Sequence, residues 1–342
     1  GFIAFSIGVE FKVSHLKELG GKVIVITLFQ SLLAVALVDV ALIAFGADTG
    51  LSLVLGAIAA ATAPAATLMV IRQYRASGPV VETLLPVVAF DDAVGLVVFS
   101  VSIALARVFS TGAELTVQSI LVTPLIEIIG SLALGLILGA ALWLLNKWFK
   151  LGENKLISAI LVVFAATGLV QLVSSLWGID MSGLLVCMMV GATFTNMCVD
   201  ETEVLSRCDA WSTPLLMLFF VISGAQLDIS VIPSIGVIGV IYILARSIGK
   251  YVGAYTGCKL TKANPVVTKY LGWTLLPQAG VEIGMAQVAM AALPAIGAQI
   301  NTVVLCAIFV YAIIGPIITK IALTKAGEIQ PNQKRVKDKA HE

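Results

Sequence analysis

Hydropathy and chain breakers divide the sequence into eleven apolar segments, at 1–11, 22–46, 50–71, 79–108, 117–146, 156–177, 179–198, 213–227, 233–258, 266–293 and 295–323. Crossing a bilayer as a helix takes about 20 predominantly apolar residues, and the first run is too short to do so. That run opens on Gly rather than Met, with no charged region ahead of an apolar core, so it reads as a cut end and not as a signal peptide. Basic residues between the runs are unevenly distributed. Of the 21 lysines and arginines, all but Arg107, Arg246 and Lys250 fall in the odd-numbered connections or after the last segment. By the positive-inside bias, those connections and the C-terminus face the cytoplasm. Arg107 belongs to the opposite side, while Arg246 and Lys250 lie inside the ninth segment.

Composition sharpens this into a class. Charged residues make up 12% of the chain and hydrophobic residues 59%, where a soluble domain carries about 25% charged residues. The chain is therefore expected to be an all-α polytopic membrane protein. A net charge of +1 leaves no basic face for nucleic acid. The cysteines (Cys187, Cys198, Cys208, Cys258, Cys306) lack ligand spacing, and His15 and His341 lie at segment ends, so no zinc site, disulfide framework or phosphate loop is expected. Nothing here calls for a cofactor, and the reading is a transporter rather than an enzyme.

The chain also repeats itself. Residues 5–14 (FSIGVEFKVS) resemble 221–230 (VISGAQLDIS) at an offset of 216, Pro64 and Pro277 lie 213 apart, and Pro79 and Pro294 lie 215 apart. That offset spans seven segments, an odd number, so the second copy is inverted relative to the first, as in secondary transporters. Segments 1 to 4 pair with 8 to 11 and segment 5 is a linker. Segments 6 and 7 lack partners, so two N-terminal helices are expected to be missing.

Polar residues inside the runs are the candidate chemistry. Asp91 and Asp92 sit within the fourth segment, where each charge at the centre of a spanning helix costs roughly 2.5–3.5 kcal/mol. On a helix they diverge by about 100°, so one can be neutralised while the other lines a cavity. Arg246 and Lys250 share a face of the ninth segment. Lys250, near its centre, must lose its proton or sit against a carboxylate. The third segment carries Thr62, Pro64 and Thr67, and its repeat mate carries Pro277, Gln278 and Glu282 around Gly280 and Gly284. Proline removes a backbone donor and glycine permits unwinding, so both helices are expected to break near mid-bilayer. Glu282 is read either as a polar group of the cavity or as a plug capping freed amides. Glu127, placed near the middle of the fifth segment, reads first as an intramembrane hydrogen-bonding group. Gln30 and Asn196 are weaker candidates, and Asp200-Glu201-Glu203 reads as a solvated loop.

At these residues the chain resembles the monovalent cation:proton antiporter superfamily, in its sodium/hydrogen exchanger branch with an adjacent aspartate pair. The resemblance is carried by Phe90-Asp91-Asp92-Ala93-Val94-Gly95-Leu96, Ile7-Gly8-Val9-Glu10-Phe11, Ile248-Gly249-Lys250 and Leu276-Pro277-Gln278-Ala279-Gly280. It implies an inverted-repeat sodium/proton antiporter-like fold of thirteen helices, eleven of them present, with the N-terminus outside. Two broken helices cross within a six-helix core bundle, and the rest form a dimerisation panel. The expected division is 1–21 panel helix end, 22–108 first core repeat, 109–150 linker helix, 151–232 panel, 233–325 second core repeat and 326–342 cytoplasmic tail. By this similarity Asp92 binds Na⁺ or carries the proton, and Asp91 partners Lys250. Where many relatives carry an acidic residue or another polar motif, this chain has Thr62-Ala63-Pro64. The implied activity is exchange of Na⁺ or Li⁺ for H⁺ by alternating access in a homodimer of the bacterial inner membrane; because Asp92 and the Asp91/Lys250 pair are both expected to titrate, two protons per sodium and electrogenic exchange are expected. A K⁺/H⁺ antiporter and a sodium-coupled organic anion symporter are the alternatives.

Overall fold

The computed structural model describes residues 1–9, 11–111, 122–149, 151–198, 201–225 and 232–329, and no strand occurs among them. The helices are α1 (Phe2–Val9), α2 (Val13–Ala44), α3 (Thr49–Ala59), α4 (Pro64–Tyr74), α5 (Pro79–Thr111), α6 (Thr123–Trp148) and α7 (Gly152–Trp177), then α8 (Gly183–Met197), α9 (Glu201–Ala225), α10 (Ile232–Leu260), α11 (Pro265–Thr274), α12 (Gly280–Ala292) and α13 (Gly297–Lys325). These thirteen elements correspond to the eleven apolar segments, because the third and tenth are each broken in two, into α3 with α4 and α11 with α12. Among the described residues, six helices are long and apolar enough to cross a membrane on their own. Large apolar side chains such as Leu136, Ile137, Phe164 and Val221 remain exposed, as a lipid-facing surface requires.

Two predicted features differ. Glu201 and Glu203 stand in the first turn of α9, not in a loop, because the helix starts a dozen residues before its apolar run; Asp200 lies outside the described residues. Glu127 falls in the second turn of α6, near its beginning rather than its middle, because the helix starts only at Thr123. Glu10, His341 and half of the second repeat copy, 226–230, lie outside the described residues, as does the tail beyond 329.

Helices α2 to α5 and α10 to α13 pack among themselves, as do α1, α6, α7, α8 and α9. The helix expected to be a linker, α6, packs chiefly on α8. The seam between the groups runs along α5, which meets α1, α6 and α8, and along α12, which meets α1. Of the long helices α5 is the most enclosed, with 61% of its apolar window buried against 22% for α6. At the far end of α5, Arg107 pairs with Asp180 at 2.6 Å and the Ser100 and Ser182 hydroxyls meet at 2.9 Å, both across the seam. At its near end, the helix is capped in trans. The Glu328 carboxylate, buried just beyond α13, accepts the Val80 and Val81 N–H groups at 2.6 and 3.0 Å. Residues 326–329, expected as the start of a tail, are therefore docked on the core.

The close approach of α10 to α2 depends on a row of glycines. A Cβ at Gly249, Gly253 or Gly257 of α10 would lie 2.6, 2.6 or 2.9 Å from the Cα of Ala34, Gln30 or Ile26 on α2. Small residues at every fourth position let two backbones meet, and here they bring the polar face of α10 against Gln30. Gly253→Val is expected to force α2 and α10 apart and destabilise the protein by roughly 1–3 kcal/mol. Gly239→Val, at a glycine with nothing within 4 Å, should melt like the wild type. Thermal denaturation of the purified protein compares the two; equal melting points would remove this account of the packing.

Candidate ion-binding site

The two breaks meet. Between α3 and α4 the chain is unwound at Ala61, Thr62 and Ala63, and between α11 and α12 at residues 276–279. Pro64 opens α4 as its first residue, where its missing N–H costs nothing. The two unwound segments cross with the Ala63 N–H donating to the Pro277 carbonyl at 2.9 Å. Unwinding frees backbone carbonyls that must find donors in a medium without water. Two cations of α10, one turn apart, supply them. Arg246 donates through Nε to Ala59 O at 3.1 Å, through Nη2 to Ala61 O at 2.7 Å and through Nη1 to Leu276 O at 2.7 Å. Its guanidinium stacks on Tyr311 at 4.7 Å, and the Tyr311 hydroxyl donates to Ile243 O at 2.8 Å.

The second cation, Lys250, is fully buried and donates to Ala60 O, to Gln30 Oε1 at 2.7 Å, to Thr62 Oγ1 at 2.8 Å and to Asp91 Oδ2 at 2.9 Å. Asp91 is equally buried and well supplied with donors. Its Oδ2 also accepts the Thr62 hydroxyl at 2.6 Å and Gln30 Nε2 at 3.1 Å, while Oδ1 accepts the Thr62 N–H at 3.2 Å. Two opposite charges thus sit in the interior with nearly every lone pair and proton assigned, the condition under which a buried pair persists.

Asp92 has different surroundings. It lines a cavity of about 290 Å³ with Ser6 and Ile7 of α1, Thr67 of α4 and Leu84, Val88 and Ala89 of α5. By its lining, the cavity runs from Asp92 toward the end of α4 and its cap, which carry Arg72 and Arg75. Asp92 is 3% exposed and its Oδ1 has no hydrogen-bond partner. Asp91, Glu282 and Lys250 all act on it electrostatically. A carboxylate oxygen left bare at the wall of a cavity can accept a proton or a dehydrated monovalent cation. Among the described residues no group of three or more His, Cys, Asp or Glu could hold a metal ion.

The remaining candidates divide clearly. Glu282 is fully buried; its Oε2 caps the Ala279 N–H at 3.1 Å, the plugging role considered for it, and its Oε1 is unpartnered. Gln278 donates to the Tyr242 hydroxyl at 2.9 Å and leaves its Oε1 bare. Thr67 lines the cavity and reaches Thr274 O at 3.5 Å. Glu127 is not part of this cluster; it borders a separate cavity of about 210 Å³ with Arg107 and Asp180. Asn196 stitches α8 to the α1–α2 connection through Phe11 O and the Val13 N–H. Tyr242 and Tyr311 were missed, since a tyrosine in an apolar run carries no distinguishing signal. Asp39, half-buried on α2 with Oδ1 unpartnered, was legible as an intramembrane acid and was overlooked.

The sequence profile of the family described as "Sodium/hydrogen exchanger, transmembrane" matches residues 2–325. No curated protein sequence matches the chain. Among solved structures, the sodium proton antiporter MjNhaP1 from Methanocaldococcus jannaschii at pH 8 aligns with a TM-score of 0.78 at 19% identity, covering 95% of this chain and 83% of that one. A structure of the same antiporter from an electron-microscopy map aligns with a TM-score of 0.72 at 19% identity, covering 96% and 84%. At that identity the likeness shows a shared fold.

Asp91→Asn leaves a buried lysine without its counter-charge and is expected to lower stability by roughly 3–5 kcal/mol. The double substitution Asp91→Leu with Lys250→Met removes both charges and should recover part of that loss, the Ala60 carbonyl being left without its donor. Melting midpoints of the three proteins decide the point; a double variant no more stable than Asp91→Asn would mean that the pair does not balance itself.

Proposed function

The chain belongs to the sodium/hydrogen exchanger family, and from that membership we propose that it exchanges Na⁺ for H⁺ by alternating exposure of Asp92 to the two sides of the membrane. The observation that carries this reading is the contrast within the acid pair. Asp91 is occupied by Lys250, Gln30 and Thr62, whereas Asp92 presents an unpartnered oxygen to a cavity. Cation and proton then compete for one carboxylate, and competition at one site obliges exchange. A bare Na⁺ at Asp92 excludes the proton, and a proton at Asp92 releases Na⁺.

With the basic connections on the cytoplasmic side, the cavity beside Asp92 opens inward. Displacement of α2–α5 and α10–α13 against α1 and α6–α9 closes it and uncovers Asp92 from the end where Arg107 meets Asp180. Lys250 can give up a proton where an arginine would stay charged, so the Asp91/Lys250 pair supplies a second titrating step and the exchange is electrogenic, two protons for each sodium. Glu282 and Gln278 line the path as secondary polar groups, Thr62 holds Asp91 in place, and Thr67 borders the inward cavity. The protein works as a homodimer in a bacterial inner membrane with its C-terminus cytoplasmic, the second helix group forming the dimer contact.

In proteoliposomes with an imposed pH gradient, Na⁺ or Li⁺ should dissipate the gradient, and Asp92→Asn should reduce this to the level of protein-free vesicles. Activity surviving in Asp92→Asn would remove Asp92 from the role. Because a proton and a cation compete for one group, the apparent KM for Na⁺ should rise as pH falls; a pH-independent KM would contradict competition. An imposed membrane potential should accelerate exchange by the wild type and not by Lys250→Met, and exchange indifferent to potential in both would rule out the two-proton scheme.

A further inference from the structure

In transporters built on broken helices, the unwound carbonyls and the C-terminal ends of the half-helices are available to coordinate the transported cation. In this chain four of the carbonyls at the breaks are filled by side-chain cations. Three of them, from Ala59, Ala61 and Leu276, converge on a single guanidinium, and the fourth, from Ala60, accepts from Lys250. The three come from both inverted halves, so they surround a point at the crossing itself. The Tyr311 ring closes one face of that point at 4.7 Å, a surface that also attracts cations. Arg246 is fully buried, and Glu282 acts on it electrostatically from the second break. Oxygen ligands, an aromatic face and a nearby acid make up a monovalent-cation position, and the side chain of Arg246 occupies it.

We infer that Arg246 is a tethered cation that fills a carbonyl-lined ion position and so limits the crossing to one free cation. The inference rests on reading Asp92 as the ligand of that one ion. An arginine does not deprotonate in proteins, so its position stays filled at every stage of a transport cycle. Lys250, which can lose its proton, holds only one carbonyl and shares its remaining donors with Gln30, Thr62 and Asp91. The division of labour makes Arg246 a determinant of ion number and Lys250 a participant in proton movement. A neutral side chain at 246 would leave three carbonyl acceptors and the field of Glu282 without a positive charge, and a free Na⁺ supplies one.

The test is an ion count on the purified full chain by equilibrium binding of radioactive Na⁺. The wild type is expected to bind one ion per protomer, Arg246→Gln two, and Arg246→Lys, which keeps the charge, one. Two ions on the wild type, one ion of unchanged affinity on Arg246→Gln, or two ions on both variants would each overturn the inference. If Arg246→Gln does not fold, Arg246→Gln with Glu282→Gln, which removes the facing acid together with the cation, carries the same count: a second, weaker ion supports the inference and a single ion overturns it. Asp92→Asn separates this from the function reading. Loss of the wild-type ion in Asp92→Asn keeps that reading, and its retention sinks the reading of Asp92 while leaving the comparison at position 246 intact.

Discussion

The core bundle is organised around the need to give hydrogen-bond donors to backbone carbonyls released inside a hydrocarbon layer. Once α3 and α11 stop halfway, Ala59, Ala60, Ala61 and Leu276 present acceptors that water cannot reach, and each left bare would cost several kcal/mol. The donors come from one helix. Arg246 and Lys250, a single turn apart on α10, serve all four carbonyls, so the position of α10 fixes the geometry of both breaks. The expense of burying two cations is offset by replacing four unmet acceptors. The same arrangement brings Lys250 to Asp91 and leaves Asp92, one residue on and about 100° around α5, facing the cavity.

That dependence explains why the α2–α10 contact is so close. A lysine side chain must span from the α10 backbone to Ala60, Thr62, Asp91 and Gln30 together, which tolerates little change in helix separation. Gly249, Gly253 and Gly257 remove the side chains that would hold α2 away. Gln30 then bridges the charges, accepting from Lys250 through Oε1 and donating to Asp91 through Nε2. Packing and electrostatics are thus one problem here: the glycines set the distance and the polar network uses it.

Much of this was legible in the sequence because proline, glycine and intramembrane charge each have a local physical meaning. The breaks at Pro64 and Pro277–Gly280, the divergence of Asp91 from Asp92 and the shared face of Arg246 and Lys250 follow from helix geometry and from the absence of water. The rest depended on contacts that only the fold creates. Nothing near Arg246 in sequence points to carbonyls at Ala59 and Leu276, and Gln30 becomes a bridging group only because α2 lies against α10. Glu127 was misplaced since an apolar run does not say where its helix begins, and the start of α9 was missed for the converse reason, an amphipathic turn ahead of the apolar run. The 249–253–257 glycine spacing was available as a packing signal and passed unread beside the charges it positions.

The trans cap on α5 constrains the mechanics of the bundle. Glu328 ties the end of α13, the last helix of the second half, to the first turn of α5 in the first half, and the Ala63–Pro277 bond ties the halves again at mid-depth. Two rivets at different heights prevent the halves from hinging about either one. The two inverted halves are thereby coupled into one eight-helix body, and a rearrangement of either half alone would have to break buried hydrogen bonds at both levels.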